Sequence, residues 1–87
     1  MFKVTTEQER GEGVTLKLEG RLASAWVDEF ARAIGEATRD DARVTLDLDG
    51  LSFADTRGVA LIRAAVDRGA RLVGGSEFIG ALIGEVR

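Results

Sequence analysis

Three runs of alternating apolar and polar residues mark out strands. Phe2, Val4 and Thr6 alternate with Lys3, Thr5 and Glu7; Val14, Leu16 and Leu18 alternate with Thr15, Lys17 and Glu19; Val44, Leu46 and Leu48 alternate with Thr45, Asp47 and Asp49. A period of two puts every second side chain on one face, the pattern of a half-buried strand. Arg10-Gly11-Glu12-Gly13 predicts a turn between the first two runs, so these form an antiparallel hairpin with the first strand at an edge. Gly20 is expected to end the second strand. Gly50 breaks the third alternation, after which Leu51 and Phe53 are expected to re-enter the core. A short fourth strand is expected from Ala70 to Val73.

Between these runs the apolar period lengthens to that of a helix. Trp26, Phe30, Ala33, Ile34 and Ala37 fall at i, i+4, i+7, i+8 and i+11, which predicts an amphipathic helix with Trp26 buried beside Phe30 and Ile34. Ser24 is its expected N-cap, with Asp28 and Glu29 in the acid-favouring early turns. Arg32 is placed to pair with Asp28 or Glu29, and Arg39-Asp40-Asp41 closes the helix. A second helix is expected from Thr56 to Arg68, with Gly69 at C′ and a buried stripe of Val59, Ile62, Ala65 and Val66 widened by Leu61. Gly74-Gly75 turns the chain and Ser76 caps a last helix, whose Phe78, Ile79, Leu82, Ile83 and Val86 point inward.

The predicted order is β-β-α-β-α-β-α, an α/β fold with a mixed four-stranded sheet. Strand-helix-strand units give parallel pairing through right-handed crossovers. Strands covered on both faces would be continuously apolar. Thr15, Lys17, Glu19, Thr45 and Asp47 instead predict helices mainly on one face and a wet face opposite, where Lys17 and Asp47 can pair.

Composition narrows the function. Eighty-seven residues suit one domain, here residues 1–87. No apolar run approaches the roughly 20 residues that span a bilayer, and because Met1-Phe2-Lys3 runs directly into the first strand no signal peptide is expected. A cytoplasmic location with no membrane partner is the default expectation. A net charge of −3 with mixed signs argues against nucleic acid. The absence of His and Cys excludes zinc sites and catalytic triads built on them, and neither a metal nor a cofactor is expected.

The stretch Val44–Gly58 is the most distinctive. Leu46-Asp47-Leu48, Gly50 and then Leu51-Ser52-Phe53-Ala54-Asp55-Thr56-Arg57-Gly58 resemble the STAS domains (sulfate transporter and anti-sigma factor antagonist), in which a strand, a Gly and a Phe step lead to Asp-Ser-Ser-Gly or Asp-Thr-Ser-Gly at a helix start. Leu16-Lys17-Leu18-Glu19-Gly20-Arg21-Leu22 is similar to the same family's strand ending in Gly-x-Leu. The order of elements fits over nearly the whole chain. The family's last strand and helix would lie beyond Arg87, which leaves an edge uncovered.

The resemblance implies a STAS-like domain that acts by protein-protein contact rather than catalysis. It would be an anti-sigma factor antagonist-like module in bacterial-type transcriptional regulation, and its partner an anti-sigma factor-like kinase or a sensor. The expected partner-binding rim comprises Arg21, Leu22, Ser24, Asp55, Thr56, Arg57 and Gly58. In that family the residue before the Gly is a phosphorylated Ser. Here it is Arg57, which cannot accept phosphate, so Thr56 is the remaining candidate acceptor, with an N-cap role as its plainer reading. The family's Asp after Gly-x-Leu is Ala23 here. Both departures bear on the switch and leave the fold untouched.

Other classes stay open. Helix N-termini on one rim, with Arg21 and Arg57, could form a small anion or nucleotide site. An exposed sheet face or edge could drive homodimerisation. Asp47-Leu48-Asp49-Gly50 resembles the Asp-x-Asp-Gly-Thr of haloacid dehalogenase-type phosphatases, but Leu51 replaces the Thr and no Lys follows Asp49. The plainer reading puts Asp47 on the wet face and Asp49 at a turn. Trp26 could stack a ligand, but at helical spacing with Phe30 it reads as core.

Overall fold

A computed structural model describes residues 1–8, 13–38 and 43–84. Its elements are β1 (Phe2–Gln8), β2 (Gly13–Leu22), α1 (Ala25–Ala37), β3 (Arg43–Ala54), α2 (Thr56–Asp67), β4 (Arg71–Val73) and α3 (Glu77–Ile83). The order is the predicted β-β-α-β-α-β-α. The strands form one sheet in the order β1-β2-β3-β4, with β1 antiparallel to β2 and the other pairs parallel. The expected turn at Arg10–Glu12, the helix end at Arg39–Asp41 and the inward position of Val86 fall outside the described residues.

The period-two runs explain where the core sits. Val14, Leu16, Leu18 and Leu22 of β2 and Val44, Leu46, Leu48, Leu51 and Ala54 of β3 are all buried. Val27 and Phe30 of α1, Ile62 and Ala65 of α2, and Ile79 and Ile83 of α3 complete the same cluster. The opposite face keeps Lys17 and Glu19 exposed, with Thr15, Thr45 and Asp47 half-buried. Lys17 stands in register with Asp47, but its ion pair is with Glu7 of β1 at 4.0 Å. Both partners are exposed, so the pair contributes at most about 1 kcal/mol.

Two register shifts shape the far end of the sheet. Lys17 and Glu19 face Asp47 and Gly50, and Gly20 and Arg21 face Leu51 and Phe53, so β3 carries one extra residue at each step. An extra residue moves the following side chains to the other face. Leu48 and Leu51, three apart, therefore both point into the core. After the second shift Ala54 points inward and Phe53 does not. Phe53 was expected in the core; it lies half-buried under the Arg21 guanidinium, 4.5 Å from the ring centroid. Gly20 does not end β2 either. It sits within the strand at φ 93, where a Cβ would collide with the carbonyl of Met1, and the strand runs on to Leu22.

Trp26 is the clearest departure in α1. It is 41% exposed, whereas Val27 is 4% and Phe30 fully buried. Both Trp26 (i, i+4) and Val27 (i, i+3) share a helical face with Phe30. The smaller Val27 takes the buried slot, and the indole lies at the sheet edge over Phe2, with ring centroids 6.4 Å apart. Ile34 is half-buried, as a stripe centred on Val27 and Phe30 requires.

Candidate functional site

The C-terminal ends of β2 and β3 lie side by side, and each feeds a helix. Leu22 is paired with Ala54 in parallel register, so Ala23-Ser24 and Asp55 emerge together at one end of the sheet. Asp55 joins the two junctions. Its backbone N–H donates to the Leu22 carbonyl at 3.0 Å. Its Oδ1 accepts from Gly58 N at 2.8 Å, capping α2, and its Oδ2 accepts from Ser24 N at 3.1 Å. One carboxylate thus holds the start of α2 and the entry to α1.

Ser24 is drawn into this bond at some conformational cost. Its φ of 56 is the only positive φ among the described non-glycine residues. Such a conformation costs of order 1–3 kcal/mol unless its surroundings enforce it. The expected capping bond from its hydroxyl is absent, because the turn aims the Ser24 N–H at Asp55 instead of aiming Oγ at the helix. The α2 cap likewise falls on Asp55, which leaves Thr56 as the first helical residue with an exposed side chain. Ser76 does cap α3 as expected, accepting from Ile79 N, but Phe78, expected to point inward, is 54% exposed, because Ile79 and Ile83 take the buried face of the helix.

Hydrogen bonding from Gly58 N, then from Ser24 N, together with the nearby Arg57 charge, holds the Asp55 carboxyl below its ordinary value of 3.8. A depressed folded-state pKa adds stability that is fully present above the unfolded value and is lost as pH falls through the folded one. The stability gap between wild type and Asp55→Asn should therefore stay constant through neutral and mildly acidic pH. It should close as pH drops below 3.8. Urea unfolding midpoints measured across that range test this; a gap independent of pH would remove the clamp.

The sequence-derived rim is partly reordered. Arg21, Ser24, Thr56 and Arg57 are exposed and Asp55 is half-buried. Leu22 is fully buried, and Gly58 is buried behind it, so neither offers a contact surface. Both instead support the rim from behind. A Cβ on Gly58 would stand 2.9 Å from the Leu22 carbonyl oxygen and 3.0 Å from its Cγ.

The Arg57 guanidinium donates to Asp28 Oδ1 of α1 at 3.0 Å. Glu29 takes Arg32 at 2.8 Å, leaving Asp28 for this second bridge between the junctions. Sequence reading missed the Asp28–Arg57 pair. Twenty-nine positions separate the two residues, and no local spacing rule links them.

Both Asp47 and Asp49 are engaged by backbone amides: Asp47 Oδ1 accepts from Asp49 N at 3.0 Å within β3, and Asp49 Oδ1 accepts from Gly75 N at 2.9 Å, tying β3 to the turn after β4. Among the described residues no three His, Cys, Asp or Glu side chains cluster as metal ligands. No helix among them is long and apolar enough to cross a membrane.

A family model described as "Mlab, STAS domain" matches residues 5–76. The chain belongs to the STAS domain family. Its fold is similar to that of the anti-sigma factor antagonist SpoIIAA in its unphosphorylated form, with a TM-score of 0.75 at 22% identity, over 92% of this chain and 80% of that one. An antisigma-factor antagonist STAS domain from Rhodobacter sphaeroides is 32% identical, with a TM-score of 0.65 over 87% of this chain and 92% of its own. The protein Mglu shares the fold at 24% identity and a TM-score of 0.65, but the match covers 83% of this STAS domain and only 19% of Mglu. No curated protein sequence matches.

Proposed function

We propose that this STAS domain is a non-catalytic protein-protein interaction module of anti-sigma factor antagonist type. It would act in bacterial-type transcriptional regulation in the cytoplasm, on an anti-sigma factor-like kinase or a sensor. The observation that carries this reading is the Asp55 clamp. It fixes two strand-to-helix junctions as one surface and holds Ser24 at a positive φ. The similarity to an antisigma-factor antagonist STAS domain from Rhodobacter sphaeroides supports this class of partner.

The same geometry weighs against the small anion or nucleotide reading. Gly58 N, a first-turn amide of α2, is already bonded to Asp55. Arg57 is bonded to Asp28 and Arg21 is stacked on Phe53. Titration with inorganic phosphate or nucleotides should leave the rim amide shifts unchanged.

In this reading Arg57 makes the surface constitutive. It stands where the family carries a phosphorylated Ser, and a phosphate there would add about −1.5 to −2 charge. A guanidinium bridged to Asp28 offers a kinase nothing to modify. Against a cognate partner, Arg57→Ala should weaken binding about tenfold, while Lys17→Ala on the open sheet face binds as wild type. The reverse result would move the contact to the open face. Stoichiometric phosphate on Thr56, coupled to loss of binding, would overturn the constitutive reading.

A further inference from the structure

We propose that Arg21 and Phe53 form the anchor of the rim, and that the protein partner meets them with an aspartate or glutamate side chain. The inference rests on the rim reading above and names the chemistry of the partner there. Arg21 and Phe53 are register partners on the two central strands, one step before Leu22 and Ala54. Leu22 and Ala54 are buried on the helix face, so Arg21 and Phe53 project together from the open face. At this level the core receives an alanine, and the larger phenyl ring stays outside, forgoing much of the gain from burying its apolar surface. The second register shift is what turns the ring outward. Bulges of this kind are over-represented beside active sites, where they re-aim a side chain.

The charge at this place is fixed and unmatched. The guanidinium carbon of Arg21 lies over the Phe53 ring, 4.5 Å from its centroid. Among the described residues the ion pairs are Lys17–Glu7, Arg32–Glu29 and Arg57–Asp28, and no carboxylate meets Arg21. The other charges of the rim are committed, Arg57 to Asp28 and both Asp55 oxygens to the amides of Ser24 and Gly58. A guanidinium held over a ring gives up little rotamer freedom on binding, and its planar fork of N–H donors matches a carboxylate. The chain carries a net charge of −3, so a preference for an acid at Arg21 is local and does not follow from overall charge. One exposed guanidinium, screened by water and salt, does not hold a free anion. The carboxylate must arrive on a protein segment that also covers the Phe53 ring. Arg and aromatic side chains are the types that most often carry the binding energy of such contacts.

A phage-displayed library of random dodecapeptides, selected on the wild-type domain, tests this chemistry directly. The selected peptides should share an Asp or Glu beside an apolar residue. Changing that acid to Ala should weaken binding to the wild type about tenfold and should change binding to Arg21→Ala far less, the signature of a direct pair. Arg21→Lys keeps the charge without the fork and should recover little of the loss. Phe53→Leu removes the ring under the guanidinium and should weaken the same peptides as well. Arg21 is exposed and Phe53 half-buried, and an unchanged far-UV circular dichroism spectrum verifies that the variants fold. Peptides without a shared acid, or peptides that bind Arg21→Ala as tightly as the wild type, overturn the proposal. A cognate partner weakened by Arg57→Ala but indifferent to Arg21→Ala would overturn the acid contact and leave the rim reading standing. Indifference to both substitutions would remove the rim reading and the acid contact together.

Discussion

Replacing Phe30 by Ala should destabilise the domain by about 3–5 kcal/mol, whereas Trp26→Ala should cost only about 1–2 kcal/mol. The larger residue has the smaller effect because of where each ring lies. Phe30 is fully buried at the centre of the core and meets Phe2 edge-on, with centroids 6.3 Å apart. Its removal leaves a cavity that the sheet and α1 cannot close. Trp26 is 41% exposed and covers one side of Phe2. Small domains are stable by about 5–15 kcal/mol in total, so Phe30→Ala approaches the folding limit. Urea unfolding followed by circular dichroism gives both values. Equal losses for the two variants, or a native Trp fluorescence shielded from acrylamide, would contradict the placement of Trp26.

Gly58→Val should cost about 1–3 kcal/mol through overpacking. It should also separate the two junctions of the rim. The missing side chain of Gly58 lets the first turn of α2 close on Leu22, whose carbonyl oxygen and Cγ would stand 2.9 and 3.0 Å from an added Cβ. Leu22 is fully buried and cannot swing away, and its carbonyl already accepts from Asp55 N. The strain must move α2, and with it the amide that Asp55 holds. The expected signature is a lowered unfolding midpoint together with large shifts of the Ser24 and Gly58 amide resonances. A valine tolerated without either change would mean that the close approach plays no part in the rim.

The sequence carried the architecture because its hydrophobic period agreed with the fold at almost every element. The alternation in β2 and the first half of β3 marked the buried face residue by residue. Ser76 and Gly69 marked helix ends by local chemistry, the first as the α3 cap and the second at φ 108 just past α2. Failures came where a choice depended on distant atoms. Trp26 and Val27 are equivalent in helical period, and only the position of β1 decides between them. Phe53 keeps the alternation of Leu51, and only the second register shift against β2 turns it outward. The hydroxyl of Ser24 is a good local cap, yet Asp55, 31 positions away, claims its backbone. Within the rim, the pairing of Arg57 with Asp28 was beyond any local rule for the same reason.

The two extra residues in β3 make that strand a ruler. Leu51, Ala54 and Asp55 reach the core, the junction and the clamp because a fixed count of residues separates them from Leu48. A change of side chain in this stretch alters one contact. A change in its length acts through the register: losing Ser52 alone removes the second shift and keeps Ala54 opposite Leu22, whereas a residue lost from the paired run Val44–Asp47 with both shifts kept would slip Leu51, Ala54 and Asp55 together. Length changes in this segment should therefore be tolerated at the two shifts and not in the paired runs between them.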